Sequence, residues 1–395
     1  MRKGETEMKK FFAILMAALM VAAMFAGCGS AGNTPDTTSN AIKIGMTGPL
    51  TGGAAEYGLA VEAGMEIAVE EINAAAGENG LKIEFKSEDD EADGEKAVSG
   101  YNALMTWGMQ FFAGTVTSGA CNAVAPETVN DEIFLLTPSA SAIEVATAGA
   151  NTYQMCFTDP NQGASAAEVI NANWPDAVIG VIYDSSDDYS SGLYQGFMTK
   201  ANEMGLDVVC ETSFTADTKS DLSTQVTQCQ DAGATLVFLP IYYSEASQIL
   251  TYANKIGYAP NFFGCDGMDG ILAVEGFDTA LAEGLALMTP FDANASDEAT
   301  VSFVTKYKEK MNGQIPNQFA ADGYDCVYAI YNACVAKGVD GSTPAREACA
   351  LVCEWFNSET FDGLTGKGMT WDAEGMISKA PAAVVITDGV YVPMA

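Results

Sequence analysis

Beyond residue 41 the chain alternates between short apolar runs and longer stretches in which apolar residues return every three or four positions. Residues 42–48 form the first run, and residues 57–75 the first helical period, which stops near Gly77. The pattern continues as strand 82–89, helix 93–105, strand 111–116, a helix from Gly119 and strand 134–137. After a strand at 153–157 the rhythm restarts with helix 161–172, strand 177–183, helix 189–204 and strand 206–211. Helix 219–232, strand 236–239, helix 244–256 and strands at 262–265 and 284–289 complete this second series. Strands separated by helices of roughly ten to twenty residues must run parallel, joined by right-handed crossovers. Two such series predict an α/β chain of two doubly wound, Rossmann-like lobes.

The rhythm breaks late. Helices at 297–311, 318–337 and 344–356 follow one another, and residues 369–371 and 383–386 read as closing strands, with a turn at Asp388-Gly389. Helices placed this late are expected to return to the first lobe, which requires three crossovers, near 158, 288 and 365. Lobe 1 is then 42–158 with 289–365, and lobe 2 is 159–288 with 366–395. About 355 residues are also too many for one compact core.

The first residues have a different texture. Lys9 and Lys10 precede an apolar run at 11–25 that closes on Phe25-Ala26-Gly27-Cys28. A basic start, a short apolar stretch and small closing residues read as a bacterial export signal, too short to span a membrane. Residues 1–27 are therefore expected to be a signal peptide and Cys28 a lipidated N-terminus; the alternative is an ordinary secretory signal with an incidental cysteine. Residues 28–41 have almost nothing to bury and predict a flexible tether with a reach of roughly 20 Å.

Charge and composition then exclude whole classes of function. The sequence has 18 Lys+Arg against 52 Asp+Glu, a net charge of −34. Arg346 is the only arginine beyond the export segment. Such a surface repels nucleic acid and anionic lipid, so neither is an expected partner. An anionic group on a ligand must then be held by hydroxyls, backbone N–H groups or one of the few lysines. The chain contains no histidine, which removes Ser-His-Asp and Cys-His catalysis and His-based zinc sites. Nine cysteines follow Cys28 at irregular spacings with no C-x-x-C pair, and they are read as buried free thiols. No metal or cofactor is expected.

Two motifs tempt and fail. Gly27-Cys28-Gly29-Ser30-Ala31-Gly32 spells G-x-G-x-x-G but has no strand before it or helix after it. Asp89-Asp90-Glu91-Ala92-Asp93-Gly94 begins like a calcium loop, yet a strand precedes it and Gly100 stands where the closing glutamate belongs. It is read as a solvated strand end.

The loops at the carboxyl ends of the strands are more informative, because open α/β sheets bind ligands there. Residues 42–58 (IKIGMTGPLTGGAAEYG) and 64–73 (GMEIAVEEIN) open the domain. Gly114-Thr115-Val116-Thr117-Ser118-Gly119 and Thr137-Pro138-Ser139-Ala140-Ser141 follow. Later come Tyr183-Asp184 with Tyr189, then Pro240-Ile241-Tyr242-Tyr243-Ser244-Glu245, and Gly264-Cys265-Asp266-Gly267. In this order, across roughly residues 42–390, the series resembles the leucine/isoleucine/valine-binding proteins, type I periplasmic binding proteins of ABC transporters. That resemblance implies two hinged lobes that close over an amino acid, branched-chain or similarly amphipathic, and then dock on a membrane permease. It also implies a monomer, held at the outer face of the cell membrane through Cys28, that catalyses nothing. A solute-sensing lipoprotein of the same fold and an extracytoplasmic enzyme on a Rossmann-like scaffold are the alternatives.

Carried over by position, the resemblance places Ser118, Gly119, Ser139, Ala140 and Ser141 in the loops that bind the ligand's carboxylate. The chemistry agrees, because a helix opening at Ser118-Gly119 offers unpaired N–H groups and a positive dipole end to an anion. Asp266 matches the acidic residue that takes the ammonium, with Asp where some family members have Glu. Tyr57, Tyr189 and Tyr242 match aromatic cover residues, Tyr242 being preferred over its neighbour Tyr243. Phe319 and Trp107 are read as core rather than pocket wall.

Overall fold

The structure is a computed structural model and describes residues 41–78 and 80–394; the expected signal peptide, Cys28 and the expected tether before residue 41 lie outside the described residues. Two sheets organise the chain. The first has five strands in the order β2-β1-β3-β4-β5, formed by Ala41–Gly48 (β1), Lys82–Asp89 (β2), Phe111–Phe112 (β3), Phe134–Thr137 (β4) and Thr152–Gln154 (β5). Every pairing in it is parallel. Its intervening helices are Ala55–Ala76 (α1), Gly94–Trp107 (α2), Ser118–Asp131 (α3) and the short Ile143–Ala146 (α4). The strand expected at 111–116 ends at Phe112. Gly114 then packs so closely on the Thr47 backbone that a β-carbon would not fit without displacing it.

The second sheet has the order β12-β11-β10-β9-β8-β6-β7. Its strands are Val178–Asp184 (β6), Asp207–Phe214 (β7), Leu236–Leu239 (β8), Asn261–Gly264 (β9), Ala286–Thr289 (β10), Ala382–Thr387 (β11) and Val390–Pro393 (β12). The strands from β6 to β10 pair in parallel, whereas β11 joins β10, and β12 joins β11, antiparallel. Asp388 and Gly389, both at positive φ, make the two-residue turn between the last two strands. Helices Asp159–Asn173 (α5), Asp188–Met204 (α6), Ser223–Asp231 (α7) and Tyr243–Lys255 (α8) flank this sheet. Three 3₁₀ turns between Asp266 and Ala282 were not foreseen from the sequence.

Helices Glu298–Lys310 (α9), Gln318–Lys337 (α10) and Ala345–Phe356 (α11) return to the first sheet: α9 and α10 pack on α1, and α11 packs on β4. The approach of α10 to α1 is backbone-close, because Gly64 faces the Ala320 carbonyl and Gly323 faces the Val61 carbonyl, with no room for a β-carbon at either. Residues 361–379, expected to begin the second lobe near 365, stay with the first sheet. Trp371 Nε1 donates to the Gln154 carbonyl at 2.8 Å, and the Gln154 N–H donates to Gly375 O at 3.0 Å. Lys379, 5 % exposed, donates to Asp322 at 2.7 Å and to Thr365 at 2.6 Å. A lysine carried out of water needs such partners, and here they tie the return segment to α10. The nine cysteines are free thiols, all buried except Cys210 and Cys353, which are half-buried.

Candidate functional site

In both sheets the strand order reverses direction once, beside β1 in the first and beside β6 in the second, and the loops at these points face each other. Tyr57, Ser118, Ser139, Tyr189, Tyr242 and Asp266 line one cavity there, with Val116, Thr117, Gly267 and Phe319. Its volume is about 20 Å³, because the walls meet. The Tyr57 hydroxyl, from the first turn of α1, donates to Gly267 O at 2.5 Å and accepts from the Tyr243 N–H at 3.2 Å. The Tyr57 ring lies 4.7 Å from Phe319 and 5.6 Å from Tyr242. Tyr189 and Tyr242 stack in parallel at 4.9 Å.

Asp266 is the polar centre. Its Oδ1 accepts from the Tyr189 hydroxyl at 2.7 Å and from the Gly267 N–H at 2.9 Å. Gln162 Oε1 accepts the Asp266 N–H at 2.6 Å. Burial raises its pKa to about 6, and the Tyr189 and Gly267 bonds to the carboxyl pull in the opposite direction. A cation placed here replaces lost hydration and favours the carboxylate form. No lysine or arginine lines the cavity.

The facing wall is neutral. Ser118 opens α3, and its Oγ accepts from the Ser141 and Ala142 N–H groups, each at 3.1 Å. Its own proton is left to donate. Ser139 differs, because its hydroxyl already donates to Val116 O at 2.7 Å and can only accept from a ligand. Ala140 and Ser141 are buried but do not line the cavity. The Ala140 carbonyl accepts from Gln154 at 2.8 Å, and the Ser141 side chain lies against the Asp159 carboxyl. Gly119 lines a neighbouring cavity of about 270 Å³, which shares Thr117 and Tyr242 and is walled by Asp184, Asp187 and Glu245. Tyr243 is turned towards α1, where its hydroxyl accepts the Glu56 N–H at 3.1 Å.

Phe319, read as core, is buried in the core and also walls the cavity; an apolar residue at the start of a helix gives no signal of this second role. Trp107 instead lies under the Lys43 ammonium, 5.0 Å from its ring. Asp159, at the start of α5, was missed. It is fully buried, and burial holds its pKa well above the usual carboxylate range, opposed by the Ser141 hydroxyl and reinforced by Asp266. An aspartate opening a helix reads as a cap, so nothing local marked it. Among the described residues no group of Cys, Asp and Glu could hold a metal ion. No helix among them is long and apolar enough to cross a membrane.

A family model described as periplasmic binding protein matches residues 41–389. The chain belongs to the periplasmic binding protein family. Within it, the chain is 28 % identical over 381 residues to the leucine-, isoleucine-, valine-, threonine- and alanine-binding protein of Pseudomonas aeruginosa, covering 95 % of this chain and 94 % of that one. It is 25 % identical over 359 residues to the Leu/Ile/Val-binding protein of Escherichia coli K12, covering 89 % and 92 %. Among solved structures, the leucine-binding protein LivK of Thermotoga maritima superposes with a TM-score of 0.79 at 25 % identity, over 90 % of this chain and 98 % of that one. The branched-chain amino acid transporter protein LivJ of Streptococcus pneumoniae, in complex with isoleucine, also gives 0.79 at 25 % identity, over 89 % and 97 %. The fold is thus the two-lobed type I arrangement, and periplasmic binding proteins act outside the cytoplasm.

Proposed function

We propose that this chain is the extracytoplasmic substrate-binding protein of an ABC importer, capturing a zwitterionic amino acid with an apolar side chain between its two lobes. The observation that carries the reading is the polarity of the cavity. Asp266 stands on one wall with two phenols, hydroxyls and the opening of α3 stand on the other, and no cationic side chain is present. That division suits an ammonium on the second lobe and a carboxylate on the first, with the rings of Tyr57, Tyr189 and Tyr242 over the ammonium and the aliphatic part. Ser118 and the first N–H groups of α3 would take the carboxylate. Ser139 would accept from the ammonium, and Ala140 and Ser141 would set the loop that holds Ser118. The 28 % identical relative named for leucine, isoleucine, valine, threonine and alanine supports an apolar or small side chain.

Ligand would bridge the lobes and shift the hinge towards a closed form that docks on the permease, with no chemistry performed. Calorimetry with leucine, isoleucine, valine and alanine, paired with solution scattering, tests this. The expected result is saturable binding of at least one of them with a smaller radius of gyration. Binding of a des-amino acid in preference to every amino acid would sink it. Anchoring is a separate part of the proposal: Cys28 is acylated and holds the monomeric receptor at the membrane through a tether. Cys28→Ser should release the protein in soluble form or leave it unprocessed; a processed, membrane-bound variant would show that Cys28 is not the anchor.

A further inference from the structure

The pairing of β7 with β6 slips once. Ile179 pairs with Val208 and Gly180 with Cys210, so Val209 is left over as a bulge. Positions 208 and 210 would otherwise share a face of the sheet. The bulge sends them to opposite sides. Val208 packs on the core that contains Leu193 of α6, whereas Cys210 packs on the core that contains Val226 and Cys229 of α7.

On that side the Cys210 and Cys229 sulfurs lie 3.6 Å apart, although 19 positions separate them in sequence. Two hydrogen bonds hold the same helix to the same strand beside them. Gln225 Nε2 donates to Ser213 O at 2.9 Å, and the Thr212 hydroxyl donates to Gln228 Oε1. Gly180, the strand partner of Cys210, leaves the space that Cys229 Sγ fills, since a β-carbon there would press on it at 2.8 Å. Cys229 is fully buried and Cys210 half-buried, so one sulfur of the pair can be met from solvent. A disulfide needs its sulfurs at about 2.05 Å, and side-chain rotation can close a remaining gap of about 1.5 Å.

We infer that Cys210 and Cys229 are a disulfide-forming pair, oxidised outside the cytoplasm by a small-molecule disulfide, and that the bond staples β7 to α7. Strand β7 ends its sheet and is paired only with β6, so the staple fastens an edge that has no second neighbour. Compartments outside the cytoplasm let such bonds persist. The pair lies away from the cleft residues, and the inference does not depend on which ligand the cleft takes.

The chemistry is two exchanges. Cys210 gives up its proton and attacks one sulfur of the oxidant, whose S–S bond breaks and whose other half leaves as a thiolate that takes up a proton. Cys229 then gives up its proton and attacks Cys210 Sγ, forming the protein disulfide and expelling the second half as a thiol. The two protein thiols lose two electrons, and the external disulfide gains them as it becomes two thiols. Burial and the adjacent Cys210 thiol push the Cys229 thiol up, which leaves the accessible Cys210 to react first.

Oxidised glutathione is the probe, added to the folded full chain after purification under reducing conditions. Peptide mapping without reductant should recover a Cys210–Cys229 crosslink in most of the protein, and dithiothreitol should remove it. The oxidised chain should melt roughly 3–6 °C above the reduced one, and the difference should vanish in Cys210→Ser and in Cys229→Ala. If the buried Cys229→Ala variant folds poorly, Cys210→Ser carries the comparison, because that position is half-buried. Glutathione retained on Cys210 with no crosslink, a crosslink confined to Cys349 and Cys353 on α11, or an oxidised chain that melts no higher than the reduced one would each overturn the inference.

Discussion

The two sides of the cleft are built alike and furnished oppositely. Both are strand-end loops at the reversal point of a parallel sheet. The first sheet presents hydroxyls and the opening of α3, and the second presents Asp266 with two phenols. Neither furnishing is a consequence of the fold, since the same loops on the same sheets would accept other residues. The comparison separates architecture, which the hydrophobic period specifies, from recognition, which a few loop residues specify.

The largest expected effect falls on the acidic side. Asp266→Ala should weaken the amino acid by roughly 3–5 kcal/mol, the cost of a buried charge without its partner. Asp266→Asn should do nearly as much while sparing a des-amino analogue of the same ligand. Calorimetry on both variants measures this, and an Asp266→Asn protein as tight as wild type would reverse the assignment of the two walls.

Acidity sharpens the same contrast. Asp266 must be a carboxylate to take an ammonium, so affinity should fall as pH drops through about 6, approaching tenfold per unit. Stability without ligand should move the other way. Burial raises Asp90, Asp187, Asp266 and Asp269 from 3.8 to about 6. Between those values the folded chain holds protons that the unfolded chain has lost. The stabilisation from these groups is therefore complete below about 4 and is lost as pH rises through about 6. Melting temperatures without ligand should be higher at pH 5 than at pH 7.5; a flat profile would show that these carboxyls are ionised at both.

Smaller effects distinguish residues within each wall. Tyr189→Phe removes a bond that favours the Asp266 carboxylate, so the midpoint of the affinity profile should move above 6, with a loss of roughly 1–2 kcal/mol at neutral pH. Ser118→Ala should cost a similar roughly 1–2 kcal/mol, because it removes a donor and strands two N–H groups of the 141–142 loop. Ser139→Ala should cost less, under about 1 kcal/mol, since its proton is already committed to Val116 O. Equal losses at Ser118 and Ser139 would mean that the Ser139 hydroxyl turns on binding.

Much of this was legible before the structure. The residues at 236–239 and 318–337 read as elements and were found with those bounds, because strong periods between Gly, Pro and Asn leave little freedom. Tyr57, Ser118, Ser139, Tyr189, Tyr242 and Asp266 were reached through family resemblance, and the structure brings all six to one cavity. Asp159 was not legible, because its burial depends on a packing arrangement that no local pattern encodes. Nor was the donor state of Ser139, which rests on the carbonyl of Val116, far away in sequence. The 3₁₀ turns after β9 were missed for a simpler reason, since single turns carry no period to detect.

The return segment at 361–379 has a consequence for how the chain is made. Strand β1 is synthesised early, but α10, which covers its lobe, and Lys379, which fastens the return segment to α10, come near the end. Strands β6–β10 form one uninterrupted stretch and can assemble their parallel core as soon as residue 289 is available. The usual order, in which the amino-terminal unit folds first during synthesis, should therefore be inverted. The first lobe waits on contacts between distant parts of the chain, the slow kind to form. Until they form, the molecule is a parallel core of β6–β10 that still lacks β11 and β12, beside an unfinished first lobe, and for an extracytoplasmic protein that delay should postpone a closed, folded body.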